Sequence, residues 1–363
     1  MKKKIGIITF HNAKNYGAAL QSYALCNFIN KECEDTYAEV INYQCKYLDD
    51  FYDPKFAYNN SLKGKIKRFL AKTKLTNRNK SFDEFVEKNI PLSKECDTSN
   101  IKDMDYDIYL AGSDMLWHWH DTDNGSYFDD NYFLKFVSDN YKKNSYAASF
   151  GTDEIPEKYN NYYSQMLGDF NNISVREESG VKFVNKLTGK KAECHVDPTL
   201  LIDVNEWKKI EKKPSESGYV LLYEVGSITE TMRETAEYIA KKNNKKLIIL
   251  LSEYNPIRSK GIFGYSPNEF LGWFDSADYI ITNSFHGLVF SIIFHKQFLV
   301  EVNSWIKNNR AIELMKRLKL DNRTIDEHTN IDETIEWKNV DNKVEKFRIE
   351  SKEYLNKIIS GVK

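Results

Sequence analysis

From Tyr219 to Val302 the chain alternates short, mostly apolar runs with amphipathic ones, a rhythm that few folds accept. Tyr219–Tyr223, Leu247–Leu251, Tyr279–Ile281 and Phe298–Val302 have strand length, while Glu230–Lys242, Pro267–Asp275 and Leu288–His295 read as helices. Strands that are apolar on both faces need cover on both, and strands separated by helices pair in parallel. A doubly wound α/β sheet follows. The first half repeats the pattern less regularly, with strands at Ile5–Thr9, Ala38–Tyr43, Asp107–Ala111, Lys143–Phe150 and Asn172–Val175, and helices at Ala18–Asn30 and Phe82–Asn89. A Pro/Ser/Gly-bearing linker at Lys212–Gly218 separates the halves, and 363 residues suit two domains. Asn309–Leu318 and Val344–Ile359 complete the expected helices.

Composition sets outer limits. Hydrophobic content of 41% with 29% charged residues is that of a soluble globular protein, and a net charge of −1 gives no global attraction to nucleic acid. The apolar run near the N-terminus is too short for a signal peptide, and no run of about 18 apolar residues occurs, so a cytoplasmic location is expected. Five cysteines at irregular spacings match no zinc or redox motif and are expected to be reduced thiols.

Chemistry is expected beyond the carboxyl ends of the strands, where an open parallel sheet binds its ligands. In YIITNSFHGLVFSIIF, the polar turn Thr282–Ser284 leads to Phe285, His286 and Gly287 at a helix start, which favours an anion and places an imidazole beside it. Asn15, Tyr16 and Gly17 open the first helix, but no G-x-G-x-x-G fingerprint accompanies them, which argues against NAD or FAD. Gly112, Ser113 and Asp114 follow DIYLA, with Trp117, His118, Trp119 and His120 just beyond. That aromatic cluster suits sugar stacking; metal binding by His118 and His120 lacks a third ligand nearby. Arg176 ends ISV and can grip a carboxylate or phosphate in a bidentate way, a surface ion pair with Glu177 or Glu178 being the other reading. Asp197 and Pro198 read as a turn. Residues 61–80 carry eight basic residues and no acid, with Leu62, Ile66, Phe69 and Leu70 on one helical face. That face suits an anionic membrane or glycan, or else a solvated helical insertion.

Taken in order, ITFHNAKNYGAALQSYAL, LAGSDMLW, KKNSYAASFG, ISVREESG, VDPTLLI and ADYIITNSFHGLVFSIIFHKQF resemble the polysaccharide pyruvyl transferase family over nearly the whole chain. The resemblance implies two Rossmann-like doubly wound domains facing a cleft, a GT-B-like arrangement. Residues 1–211 would form the acceptor side and contribute Arg176, 219–335 the donor side with His286, and 336–363 a helix packing back on the first domain. It further implies phosphoenolpyruvate as co-substrate, with no other cofactor and no metal. The pyruvyl group would become a ketal on two hydroxyls of a sugar, in a free or lipid-linked surface-polysaccharide intermediate, with phosphate released. His286 and Arg176 would then be catalytic; Asn283, Ser284, Gly287 and Arg310 would bind donor; Asn15, Tyr16, Gly17, Ser113, Asp114 and Trp117 would bind acceptor. Met115 and His118 depart from the Gln and Asn often found at those places. The alternatives are a nucleotide-sugar glycosyltransferase of the same fold and a non-enzymatic glycan- or membrane-binding protein.

Overall fold

The computed structural model describes residues 2–122, 125–226, 228–257, 259–302, 309–326 and 329–361, and in it the short apolar runs are parallel strands. The first lobe runs β1 (Lys3–Ile8), α1 (Tyr16–Glu32), β2 (Thr36–Val40), α2 (Lys46–Tyr52), α3 (Leu62–Asn89), β3 (Ile108–Ala111) and β4 (Lys143–Ser145). It continues through α4 (Asn160–Gly168), β5 (Ile173–Val175), α5 (Glu178–Thr188), β6 (Ala192–Cys194) and α6 (Val204–Ile210). Its strands lie in the order β2-β1-β3-β4, and β5 and β6 continue the sheet through the bridges Asn144–Asn172 and Ala148–Val175. The second lobe comprises β7 (Tyr219–Glu224), α7 (Glu230–Lys242), β8 (Leu247–Leu251), α8 (Pro267–Ser276), β9 (Ala277–Thr282), α9 (Phe285–Ile293), β10 (Gln297–Val300) and α10 (Asn309–Leu318), with sheet order β8-β7-β9-β10. Both lobes are Rossmann-like.

In each sheet the chain first builds to one side of the opening strand and then to the other, which leaves a crevice at the switch point. That crevice lies between β1 and β3 in the first lobe and between β7 and β9 in the second. Side chains bolt both openings. The Thr9 hydroxyl donates to the Ser113 carbonyl at 2.9 Å. Asn283 Oδ1 accepts from the Val225 N–H at 2.8 Å, and its Nδ2 donates to the Val225 carbonyl at 3.2 Å.

The lobes share one apolar core. Tyr16, in the first turn of α1, donates its hydroxyl to the Tyr265 carbonyl at 2.8 Å, and its ring stacks on Tyr265 and Phe270 at 4.6 and 5.0 Å. A final helix, α11 (Trp337–Ser360), joins them again. It stacks Trp337 on His295 at 4.7 Å, then donates from Arg348 Nε to the Leu200 carbonyl at 2.6 Å and from the Tyr354 hydroxyl to the Ser145 carbonyl at 2.9 Å.

Of the boundaries that differ from the sequence reading, three have a clear local cause. Residues 61–80 and Phe82–Asn89 form one 28-residue helix, since no Gly or Pro interrupts 65–89 and the Ser81 hydroxyl turns back to the Arg78 carbonyl at 2.7 Å. The strand expected over Lys143–Phe150 stops at Ser145, where Ala147 adopts φ +49° and bends the chain before Ala148 bridges Asp114 and Val175. Helix α9 begins at Phe285 rather than Leu288, because Ser284 caps it by accepting from the Gly287 N–H at 3.2 Å. His286 therefore stands inside the first turn.

Candidate active site

Arg176, one residue past β5, is fixed by its own N–H, which donates to the Ala148 carbonyl at 3.1 Å. Its guanidinium donates from Nε to Glu177 Oε1 at 3.1 Å and from Nη1 to Asp197 Oδ2 at 2.7 Å. Ser113 joins them: its hydroxyl lies 3.4 Å from Arg176 Nη1 and donates to Asp197 Oδ2 at 3.3 Å. The other oxygen of Asp197 accepts the Thr199 hydroxyl and N–H at 2.6 and 3.0 Å, so the Asp-Pro-Thr turn sets the carboxylate's direction. Ser149 donates to Glu177 Oε1 at 2.7 Å and holds the second counter-ion.

From the second lobe, His286 brings Nε2 to 3.6 Å from the same Asp197 oxygen. The Nδ1 edge of the imidazole lies against Gly17, where a Cβ would overlap the ring. Two helix starts, α1 and α9, thus abut at this contact, and each leaves first-turn N–H groups without intrahelical partners. Arg176 and His286, expected from the sequence to act on the donor, thus both lie against the carboxylate of Asp197.

Electrostatics separate the roles of the two arginines. Burial alone raises a carboxyl, yet the charges of His286 and Arg176 and the Thr199 hydroxyl hold Asp197 well below the usual carboxylate range. Burial opposes the charge of Arg176, but Glu177, Asp197 and Asp114 outweigh it and hold the proton more firmly than usual. Arg176 is thus buried and doubly neutralised. Arg310, at the start of α10, is different: burial and then the like charge of Arg176 press its affinity for a proton downward. Among the described residues Arg310 has no ion pair or hydrogen bond and lies over the Phe285 ring at 5.8 Å, with Arg176 at 4.9 Å from the same ring. An arginine stays charged at any physiological pH, so Arg310 keeps its positive charge beside the cavity described next.

A cavity of about 20 Å³ sits here, lined by Arg176, Asp197, Phe285, Arg310, Glu313 and Arg317. That is room for roughly one water molecule. A larger ligand requires side chains to move. Among the described residues Arg176 Nη2 and His286 Nε2 are buried without a hydrogen-bond partner, so capacity for one remains.

The remaining sequence candidates divide. Asn15 is exposed and caps α1, accepting from the Ala18 N–H at 3.2 Å. Asp114 holds φ +83°, a strained conformation for a non-glycine residue that costs about 1–3 kcal/mol, as is common at functional turns. Gly287 packs against the Thr282 side chain, and Asn283 and Ser284 shape the turn through the bonds described above. Two residues need correction. Tyr16 and Trp117 were expected to face an acceptor, but both are buried. Trp117 donates to the Tyr132 carbonyl at 3.2 Å and stacks on Phe133 at 5.6 Å, leaving no face for a sugar. His118 hydrogen-bonds the Phe150 carbonyl at 2.8 Å, and the His120 side chain lies outside the described residues.

Sequence reasoning missed three acids. Asp197 looked like part of a turn, and Glu177 like a surface partner. Glu224 ends β7 beside its switch crevice, takes the Ser252 hydroxyl at 3.4 Å, and is pushed up to about 7 by burial and by the charge of Glu253. An acid closing an apolar strand was the available signal. Among the described residues one trio could approach a metal, Glu178, Cys194 and Glu313, with ligand atoms within 4.8 Å of one another. Burial favours the neutral thiol of Cys194, Arg317 Nη1 lies 3.6 Å from its sulfur, and Glu313 already accepts the Glu178 N–H at 2.6 Å. The trio is a poor metal site.

Paired Rossmann-like lobes with ionisable groups from both at one crevice define a two-lobed α/β protein of GT-B-like fold. The chain belongs to the polysaccharide pyruvyl transferase family, whose model matches residues 15–304. Among solved structures, it is similar to UDP-GlcNAc 2-epimerase from Methanocaldococcus jannaschii, at 12% identity over 95% of this chain and 92% of that one, with a TM-score of 0.48. It is also similar to UDP-GlcNAc 2-epimerase from Neisseria meningitidis bound to UDP-GlcNAc, at 12% identity over 100% and 95% of the two chains, TM-score 0.46. UGT89C1 from Arabidopsis thaliana matches at 12% identity over 100% and 94%, TM-score 0.44. Comparison with curated proteins gave no match. Among the described residues no helix is long and apolar enough to cross a membrane.

Proposed function

We propose that this enzyme moves the pyruvyl group of phosphoenolpyruvate onto two hydroxyls of a sugar in a surface-polysaccharide intermediate. The observation that supports this most is that Arg310, which among the described residues has no ion pair, lines one cavity with Asp197, and that His286 stands 3.6 Å from that Asp197 carboxylate. The donor is a small trianion at most, and its reaction needs a proton delivered and charge held.

The chemistry divides among these groups. His286 in its protonated form delivers a proton to the enol methylene carbon, and positive charge develops at the neighbouring carbon. One sugar hydroxyl adds to that carbon and loses its proton. The carbon–oxygen bond to phosphate then breaks, inorganic phosphate leaves, and the second hydroxyl closes the ketal and gives up its proton. Of the two hydroxyl protons, one balances the new methyl group and the other leaves with phosphate. Asp197 stabilises the imidazolium and orients the ring, while Arg176 positions Asp197. Arg310 holds the donor's phosphate or carboxylate. The acceptor lies toward Asn15, Gly17, Ser113 and Asp114.

Incubation with phosphoenolpyruvate and hexose- or N-acetylhexosamine-bearing lipid-linked intermediates tests this reading. It expects equal amounts of inorganic phosphate and of acid-labile pyruvate on the glycan. Release of a nucleoside diphosphate from a nucleotide sugar, with phosphoenolpyruvate untouched, would replace it with glycosyl transfer.

A further inference from the structure

Helix α3 carries an outward face that the fold leaves uncovered. Gly64, Ala71 and Arg78 are buried and recur every seven residues, so they mark the side turned to the protein. The opposite side presents Leu62, Ile66, Phe69 and Leu70, with Leu62 77% and Phe69 81% exposed. Between Phe51 and Leu70 the chain exposes more large apolar side chains than in the rest of the described residues, since Phe51 and Phe56 add to these four. At 100° per residue, Lys63 and Lys74 flank the stripe on one side and Lys65 and Lys72 on the other. Among the described residues none of these four lysines has a carboxylate partner.

We propose that this face of α3 docks on an anionic lipid bilayer. An apolar stripe bordered on both sides by unneutralised lysines matches a bilayer surface, where rings and aliphatic chains enter the acyl boundary and ammonium groups meet headgroup phosphates. A second copy of the chain is a worse occupant, because pairing two such stripes brings lysines against lysines with no acid to relieve them. The helix also reaches the cleft. Arg78 Nη2 donates to the Lys14 carbonyl at 2.5 Å in the turn before α1, its guanidinium lies over Phe82 and Phe263 at 4.9 and 5.5 Å, and Lys74 covers Tyr254 of the second lobe at 4.5 Å. Docking through α3 therefore holds both lobes at a fixed height above the lipid, within reach of a substrate carried by a membrane anchor. The proposal rests on the helix surface alone and stands whatever reaction the cleft performs.

The test is co-sedimentation of the full chain with vesicles of phosphatidylglycerol and phosphatidylcholine, against vesicles of phosphatidylcholine alone. Two exposed-surface variants accompany it, Leu62→Ser with Phe69→Ser, and Lys63, Lys65 and Lys72 each →Glu, with Lys74 left in place on Tyr254 and circular dichroism melts to confirm folding. Expected is binding to the anionic vesicles only, weakened by salt, lost in the apolar variant and reduced on the order of a hundredfold in the charge variant. Failure of the wild-type chain to sediment with anionic vesicles at low salt overturns the proposal. Binding untouched by both variants does so too, as does a wild-type dimer that the apolar variant abolishes.

Discussion

The imidazole of His286 rests on the backbone of Gly17, and this contact joins the first turn of one lobe's helix to the first turn of the other's. Only a residue without a side chain fits beneath the ring. The position of the imidazole relative to Asp197 is therefore set by a glycine in the opposite lobe.

Gly17→Ala should lower turnover about a hundredfold, the cost of displacing a reacting group by roughly an ångström. Helix formation does not explain such a loss, since alanine is the better helix former by about 1 kcal/mol. Turnover measured beside a circular dichroism melt checks this; a fully active variant would mean that His286 is not positioned here.

The two arginines should fail in different ways. Arg176→Ala leaves Glu177 buried without its cation and Asp197 with His286 alone, and should cost about 3–5 kcal/mol of stability, read from urea unfolding. Arg310→Ala breaks no ion pair among the described residues. It should leave stability within about 1 kcal/mol while raising KM for phosphoenolpyruvate roughly 10- to 100-fold, the worth of a hydrogen bond to a charged group.

His195 predicts how stability depends on pH. It is buried with Nδ1 2.8 Å from the Ser174 hydroxyl and its ring 4.5 Å from Tyr354, and burial pushes its imidazole down to about 4. Between an unfolded value near 6.5 and that folded value, the unfolded chain binds the proton more readily. Stability from this group is therefore present above pH 6.5, falls as pH drops toward 4, and levels off below, for a total of about 3 kcal/mol. His195→Gln should flatten that part of the curve in urea titrations across the range.

Much of this was legible because it is periodic or local. Apolar runs at strand length separated by helices specify parallel sheets, and polar turns at strand ends marked Arg176 and His286. What the sequence hid was tertiary. Asp197 sits in an Asp-Pro-Thr turn whose local reading is complete without Arg176 or His286, so nothing nearby announces an ion-pair hub. Trp117 follows a Gly-Ser-Asp turn and invites a stacking role, but Phe133, Phe150 and Phe170 enclose it, and only the fold brings those rings together. Glu224 reads as the end of a strand until β9 is placed beside β7.

In the proposed reaction His286 moves the proton that starts pyruvyl transfer from phosphoenolpyruvate. Its most direct test is acceptor-dependent phosphate release from phosphoenolpyruvate by the wild-type enzyme and by His286→Asn, whose smaller polar side chain keeps the helix cap and the contact with Gly17 free of strain. Expected is a loss of about 10²- to 10⁴-fold in a variant that circular dichroism shows to be folded; wild-type rates of phosphate release in the variant would contradict a proton-transfer role for His286.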